Sequence, residues 1–194
     1  MSGDERGEAR LTVNVLVMEL STMIVAIALA FNAQSLESSG ITIYSLADFI
    51  VTNVIVVWFW WRYVVERLSY PPTTSEFPIL DIIVLILISA LPVMLRTGNL
   101  QYLAGVMAAI AFTWAGMLRS VLNDPRVTPE ARAELRQEAV ARASIGLLFA
   151  VSAAVYPASL LAAHLVFWVT VVLVAYRVFA GHVMRLHRGR LRRR

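Results

Sequence analysis

The chain has 194 residues, of which 59% are hydrophobic and only 15% charged, and its mean hydropathy is +0.70. A soluble domain carries about 25% charged residues, so this composition excludes a compact globule covered by its own polar surface and calls for lipid to cover it instead. The absence of cysteine excludes disulfides, thiolate metal sites and cysteine nucleophiles, and the 17 basic residues, all arginine, exceed the 13 acidic ones for a net charge of +4.

The first ten residues mix Asp4, Glu5 and Glu8 with Arg6 and Arg10. The apolar run behind them is longer than a signal-peptide core and contains no small-residue cleavage site, which predicts a retained span over residues 11–32. A spanning helix needs about 20 mostly apolar residues. The second such run covers residues 43–62, opened by Ser45-Leu46-Ala47-Asp48 as a capping box and closed by the aromatic group Trp58, Trp60, Trp61 and Tyr63. Tyr70-Pro71-Pro72-Thr73-Thr74-Ser75 reads as a loop. The third span covers residues 78–95, with Asp81 one turn in, where an acid favours the helix dipole. Arg96-Thr97-Gly98-Asn99 is a tight turn into the fourth, residues 100–118.

A water-loving segment follows. Thr128-Pro129-Glu130 has an N-cap threonine, a proline at the first helical position and an acid in the first turn, so a cytoplasmic helix over 129–142 is predicted, with Glu138 and Arg142 spaced for an i,i+4 pair. The apolar block 143–180 would measure about 57 Å as one helix, nearly twice the hydrocarbon thickness. Pro157 breaks it, because proline lacks the amide and clashes with the preceding turn. Spans over 143–156 and 158–180 result, followed by a basic tail, 185–194.

Arginine tests the count. Threading six spans from an inside N-terminus places every arginine except Arg96 on the inner side, whereas five spans strand an arginine cluster outside. The fold class read from the chain is therefore all-α: a single transmembrane domain, an integral six-helix bundle of the cell membrane with both termini cytoplasmic. The tail, directly after a span, is read as lying on anionic headgroups of the bilayer and not as binding nucleic acid.

Ionisable groups at membrane depth are candidate sites, each with a plain structural alternative. Asp48 and Asp81 read as caps, and His164 as a hydrogen-bonded packing residue. Glu19, ninth in the first span and about 12 Å from its inner end, carries an insertion cost of a few kcal/mol unless it finds water or a partner. With Asn14, Ser21, Thr22 and Asn32 it makes the first helix the most polar, as an interhelical packing surface or as the border of a wet path. No HExxH, Gly-rich phosphate loop or GxSxG occurs, so neither an enzyme nor a metal or cofactor is expected.

Leu20-Ser21-Thr22-Met23-Ile24-Val25-Ala26-Ile27-Ala28-Leu29-Ala30 resembles the first-helix signature of the transmembrane protein 175 type potassium channels in their six-helix prokaryotic form. Trp60-Trp61-Arg62, Ala90-Leu91-Pro92 and Tyr156-Pro157 extend the similarity. Leu20 and Thr22 stand where the family has phenylalanine and aspartate, Leu16 where it has arginine, and Ala30 where it has threonine. The resemblance implies a homotetramer that passes monovalent cations along helix one, with a hydrophobic constriction at Ile27 and further layers at Phe31 and Gln34. The family's polar network would have to be rebuilt here, around Glu19, Ser21 and Thr22. Leu20, Ile24, Ile27, Phe31 and Gln34 also share one helical stripe. An apolar packing face fits that stripe equally, in a non-conducting accessory or scaffold subunit that docks a partner through its cytoplasmic helix and tail.

Overall fold

The computed structural model describes residues 3–69, 77–124 and 127–191, with side chains from 15 to 179 apart from 16, 39, 69–78, 125 and 126. The Tyr70–Ser75 loop, the Asn14 side chain and the side chains of the basic tail lie outside that range. Helices follow one another in the order α1 (Gly3–Ser39), α2 (Ile43–Ser69), α3 (Phe77–Thr97), α4 (Leu100–Leu122), α5 (Pro129–Val155) and α6 (Leu160–Leu191), and no strand occurs among the described residues. All six are long and apolar enough to cross a membrane, which makes this an all-helical, multi-pass architecture.

Local chemistry sets the helix ends. The residues from Ala33 to Ser39 contain no breaker and stay helical, so α1 continues past residue 32 to Ser39. Gly40 stops the helix, at a φ of +79° that a side chain would strain. Thr42 and Ser45 form the capping box of α2: the Thr42 amide donates to Ser45 Oγ (2.8 Å) and the Ser45 amide to Thr42 Oγ1 (3.1 Å). Asp48 is left exposed inside the helix and caps nothing. Gly98, at φ +61°, turns α3 into α4, whose N-cap Asn99 accepts from the Gln101 and Tyr102 amides. Thr128 caps α5, with Pro129 in its first turn. The segments 129–142 and 143–156, separate in the sequence reading, form one unbroken helix because nothing between Pro129 and Val155 interrupts its hydrogen bonding. It ends beside Pro157.

The bundle consists of two triads. Helices α1, α2 and α3 each pack on the other two, α5 packs on both α4 and α6, and α3 with α4 joins the triads. One apolar core gathers Val25, Val56, Leu85 and Ile88 with Ile110, Trp114 and Leu118 of α4; a second gathers Leu100, Ala104 and Ala108 of α4 with Phe149, Ala163 and Phe167. The two cores therefore share α4 end to end. Short connecting segments make successive helices antiparallel. The ends of α2, α4 and α6 thus meet the starts of α3 and α5 at one end of the bundle, here the arginine-rich end, while Gly40, Gly98 and Pro157 mark the other.

Candidate functional site

Two features concentrate the polar chemistry: an unpartnered face on α1 and an array of ion pairs at the arginine-rich end. On α1 the inward side carries Ser21, Val25, Ala28 and Asn32, all buried. The other side carries Glu19, Met23, Ile27, Phe31 and Gln34, all exposed; Ile27 is 53% and Phe31 64% accessible. The 3.6-residue period divides the helix into these halves. Because both halves mix polar and apolar residues, only packing distinguishes them.

The residues Glu19, Ser21 and Thr22 do not form one network. Ser21 Oγ accepts from Trp60 Nε1 (3.4 Å) and donates to the Met18 carbonyl (2.7 Å), which pins α1 to α2. Thr22 donates to the same carbonyl (2.9 Å), so its hydroxyl is used within its own turn. Glu19 faces outward and has no ion-pair partner among the described residues. Nearer the opposite end, Asn32 Nδ2 donates to Asn53 Oδ1 (2.7 Å), while Arg96 Nη2 donates to Asn32 Oδ1 (2.8 Å) and to the Asn32 carbonyl (2.9 Å). These bonds tie the far half of α1 to α2 and α3.

At the arginine-rich end, Arg67 of α2 and Asp81 of α3 form an ion pair of 2.7 Å, and each side chain is only 1% exposed. Tyr63 Oη donates to the other Asp81 oxygen (2.9 Å). Asp81 thus serves as a buried counter-ion, a role beyond the helix-dipole one its position implied. Beside this trio, Arg142 of α5 grips the Glu66 carboxylate of α2 with both guanidinium nitrogens (2.7 and 2.5 Å), the fork geometry that makes arginine–carboxylate pairs strong. Arg62 also donates to Glu66 (3.0 Å), Arg142 to Glu138 (3.1 Å) and Arg177 of α6 to Glu138 (2.5 Å). The Glu138–Arg142 pair read from the sequence is present. The Arg142 guanidinium lies 4.9 Å from the Trp114 ring centroid, within cation–π range. The chain Arg62–Glu66–Arg142–Glu138–Arg177 alternates in sign, so every carboxylate in it lies between two cations.

No family model, curated protein or solved structure matches the chain. Its chemistry therefore has to be read from its own residues. Among the described residues no three His, Asp or Glu side chains gather as a metal site. The array of Glu66, Arg67 and Asp81 was not singled out from the sequence. The available signal was the hairpin itself: charges at the end of one span and the start of the next, across a proline-rich loop, arrive at the same depth.

Proposed function

We propose that this chain is the subunit of a homotetrameric cell-membrane channel for monovalent, potassium-like cations, with both termini cytoplasmic and the path lined by α1. The observation that carries this reading is the outward face of α1. Ile27, Phe31 and Gln34 point away from the rest of their own subunit, which leaves them free to border a path formed with further copies of the chain. The resemblance of Leu20–Ala30 to the first helix of transmembrane protein 175 type channels supports the same assignment. Permeation and not bond chemistry is the activity: ions cross an apolar narrowing at Ile27 and Phe31, and the wetting of that narrowing sets conductance. Arginine placement supports the orientation, because it keeps the arginine-rich end inside.

Purified protein reconstituted in potassium-loaded liposomes is the test. The native chain passes potassium, and Ile27→Asn, which wets the narrowing, raises the leak. If both are silent while the protein is folded and inserted, the channel reading fails. The second reading, an accessory subunit, draws on the exposed Glu130, Arg132, Glu134, Arg136 and Gln137 along the first turns of α5. It is distinguished by stable co-purification with another protein and no flux.

A further inference from the structure

We propose that Glu19 and Glu37 are the charges that set ion selectivity along α1, gathering cations at the two mouths of the path and turning anions away. The inference rests on the channel reading above and adds to it the residues that choose the sign of the ion.

Among the described side chains of α1, Glu19 and Glu37 are the only charged ones, and both are exposed. They stand 18 residues apart, which at 3.6 residues per turn returns them to one azimuth after about five turns. That azimuth lies across the helix from Ser21, Val25, Ala28 and Asn32, which are buried where α1 packs on α2 and α3. The two carboxylates therefore share the face that carries Met23, Ala26, Ile27, Ala30 and Phe31, and no charge lies between them.

Their depths match the two ends of a membrane path. At 1.5 Å per residue they are separated by about 27 Å along the helix, close to the roughly 30 Å of hydrocarbon. Glu37 lies in the last turn of α1, just before Gly40, at the end of the bundle away from the arginines. Glu19 precedes Ser21, whose hydroxyl meets Trp60 Nε1, and α2 runs antiparallel, so Glu19 reaches the level of Arg62. The cations nearest these levels are engaged elsewhere: Arg62 pairs with Glu66 (3.0 Å), and Arg96 is held on the packed side by Asn32 (2.8 Å). Neither Glu19 nor Glu37 has an ion-pair partner among the described residues. In a chain of net charge +4, this face alone is thus made negative at both ends. In the proposed tetramer each carboxylate is repeated four times around the path. Such rings raise the local cation concentration and repel anions, and they act before the ion reaches the apolar narrowing at Ile27 and Phe31.

The test reads currents in inside-out patches from cells expressing the full chain, in potassium chloride of about 0.1 M and about 1 M, where charges are screened over about 10 Å and about 3 Å. At the lower salt, Glu19→Gln is expected to reduce several-fold the cation current leaving the cytoplasmic side, and Glu37→Gln the current entering from the other side. The two variants thus rectify in opposite senses, and both approach the native chain at the higher salt. Neutralising both shifts the reversal potential in a salt gradient toward that of chloride. The absence of native cysteine allows a rescue: Glu37→Cys labelled with a sulfonate-bearing thiol reagent regains the native current, and a trimethylammonium-bearing one lowers it further. Native rectification in both variants at low salt overturns the proposal. So does a loss that high salt does not remove, which reports altered packing and not charge. In either case a current still raised by Ile27→Asn leaves the channel reading standing. Silence of every chain, Ile27→Asn included, overturns that reading and this inference together.

Discussion

Replacing Asp81 with asparagine removes the negative charge 2.7 Å from the Arg67 guanidinium and leaves the shape of the site nearly intact. Both side chains are 1% exposed, so water cannot substitute for the lost carboxylate. Breaking a buried pair from one side costs about 3–5 kcal/mol, because the surviving charge is left uncompensated. The asparagine can still accept from Tyr63, so the Tyr63 bond at 2.9 Å is not the principal loss. For a domain of this size each kcal/mol moves the midpoint by about 2–4 °C, which places the Asp81→Asn shift at roughly 10 °C downward. The assay is thermal unfolding of detergent-solubilised protein, with Arg67→Met and the double variant Arg67→Met/Asp81→Leu measured alongside. The double variant removes both charges and fills the space with apolar atoms, and such exchanges are commonly neutral or stabilising. It is expected to recover most of what either single change loses. If the double variant falls by the sum of the two singles, the charges are not coupled and the reasoning is refuted.

Asn32→Ala removes the amide that binds Asn53 and accepts from Arg96, a loss of about 2 kcal/mol given the charged donor; faster hydrogen exchange in the last turns of α1, with α4 to α6 unaffected, checks it. At Gly146 an added Cβ would meet the Phe112 ring at 3.1 Å. Phe112 is 43% exposed and can turn outward, so Gly146→Ala should nearly cancel against its helix-propensity gain of about 1 kcal/mol. Gly146→Leu has no such escape and should lower stability by about 1–3 kcal/mol through overpacking between α4 and α5. Parallel unfolding midpoints of the two variants separate these outcomes.

Much of the fold was legible because single residues at element ends act locally. Thr128-Pro129 starts α5 and Pro157 ends it, and the Arg96–Asn99 turn lies where glycine and a capping asparagine require it. Where the local signal was ambiguous, the reading drifted. Ser45 was paired with Asp48 and not with Thr42, since both spacings satisfy a capping box. The polar stretch after Asn32 was left outside the first span although nothing in it breaks a helix. Residues 129–155 were divided at a change of polarity, which marks a change of surroundings and not a change of backbone.

Of the candidate site, the stripe Leu20, Ile24, Ile27, Phe31 and Gln34 could be written down from periodicity, but which way it faces could not. Both sides of α1 mix polar and apolar residues, and hydropathy cannot tell a side covered by helices from a side left open. The sequence by itself determined that six stretches leave water, because backbone and side-chain transfer energies are properties of each residue. Only the tertiary structure decided that Ser21 turns inward and Ile27 outward, and that Arg67 meets Asp81 and Arg142 meets Glu66. Those outcomes depend on how whole helices pack in three dimensions, a sum over distant residues that no local window contains.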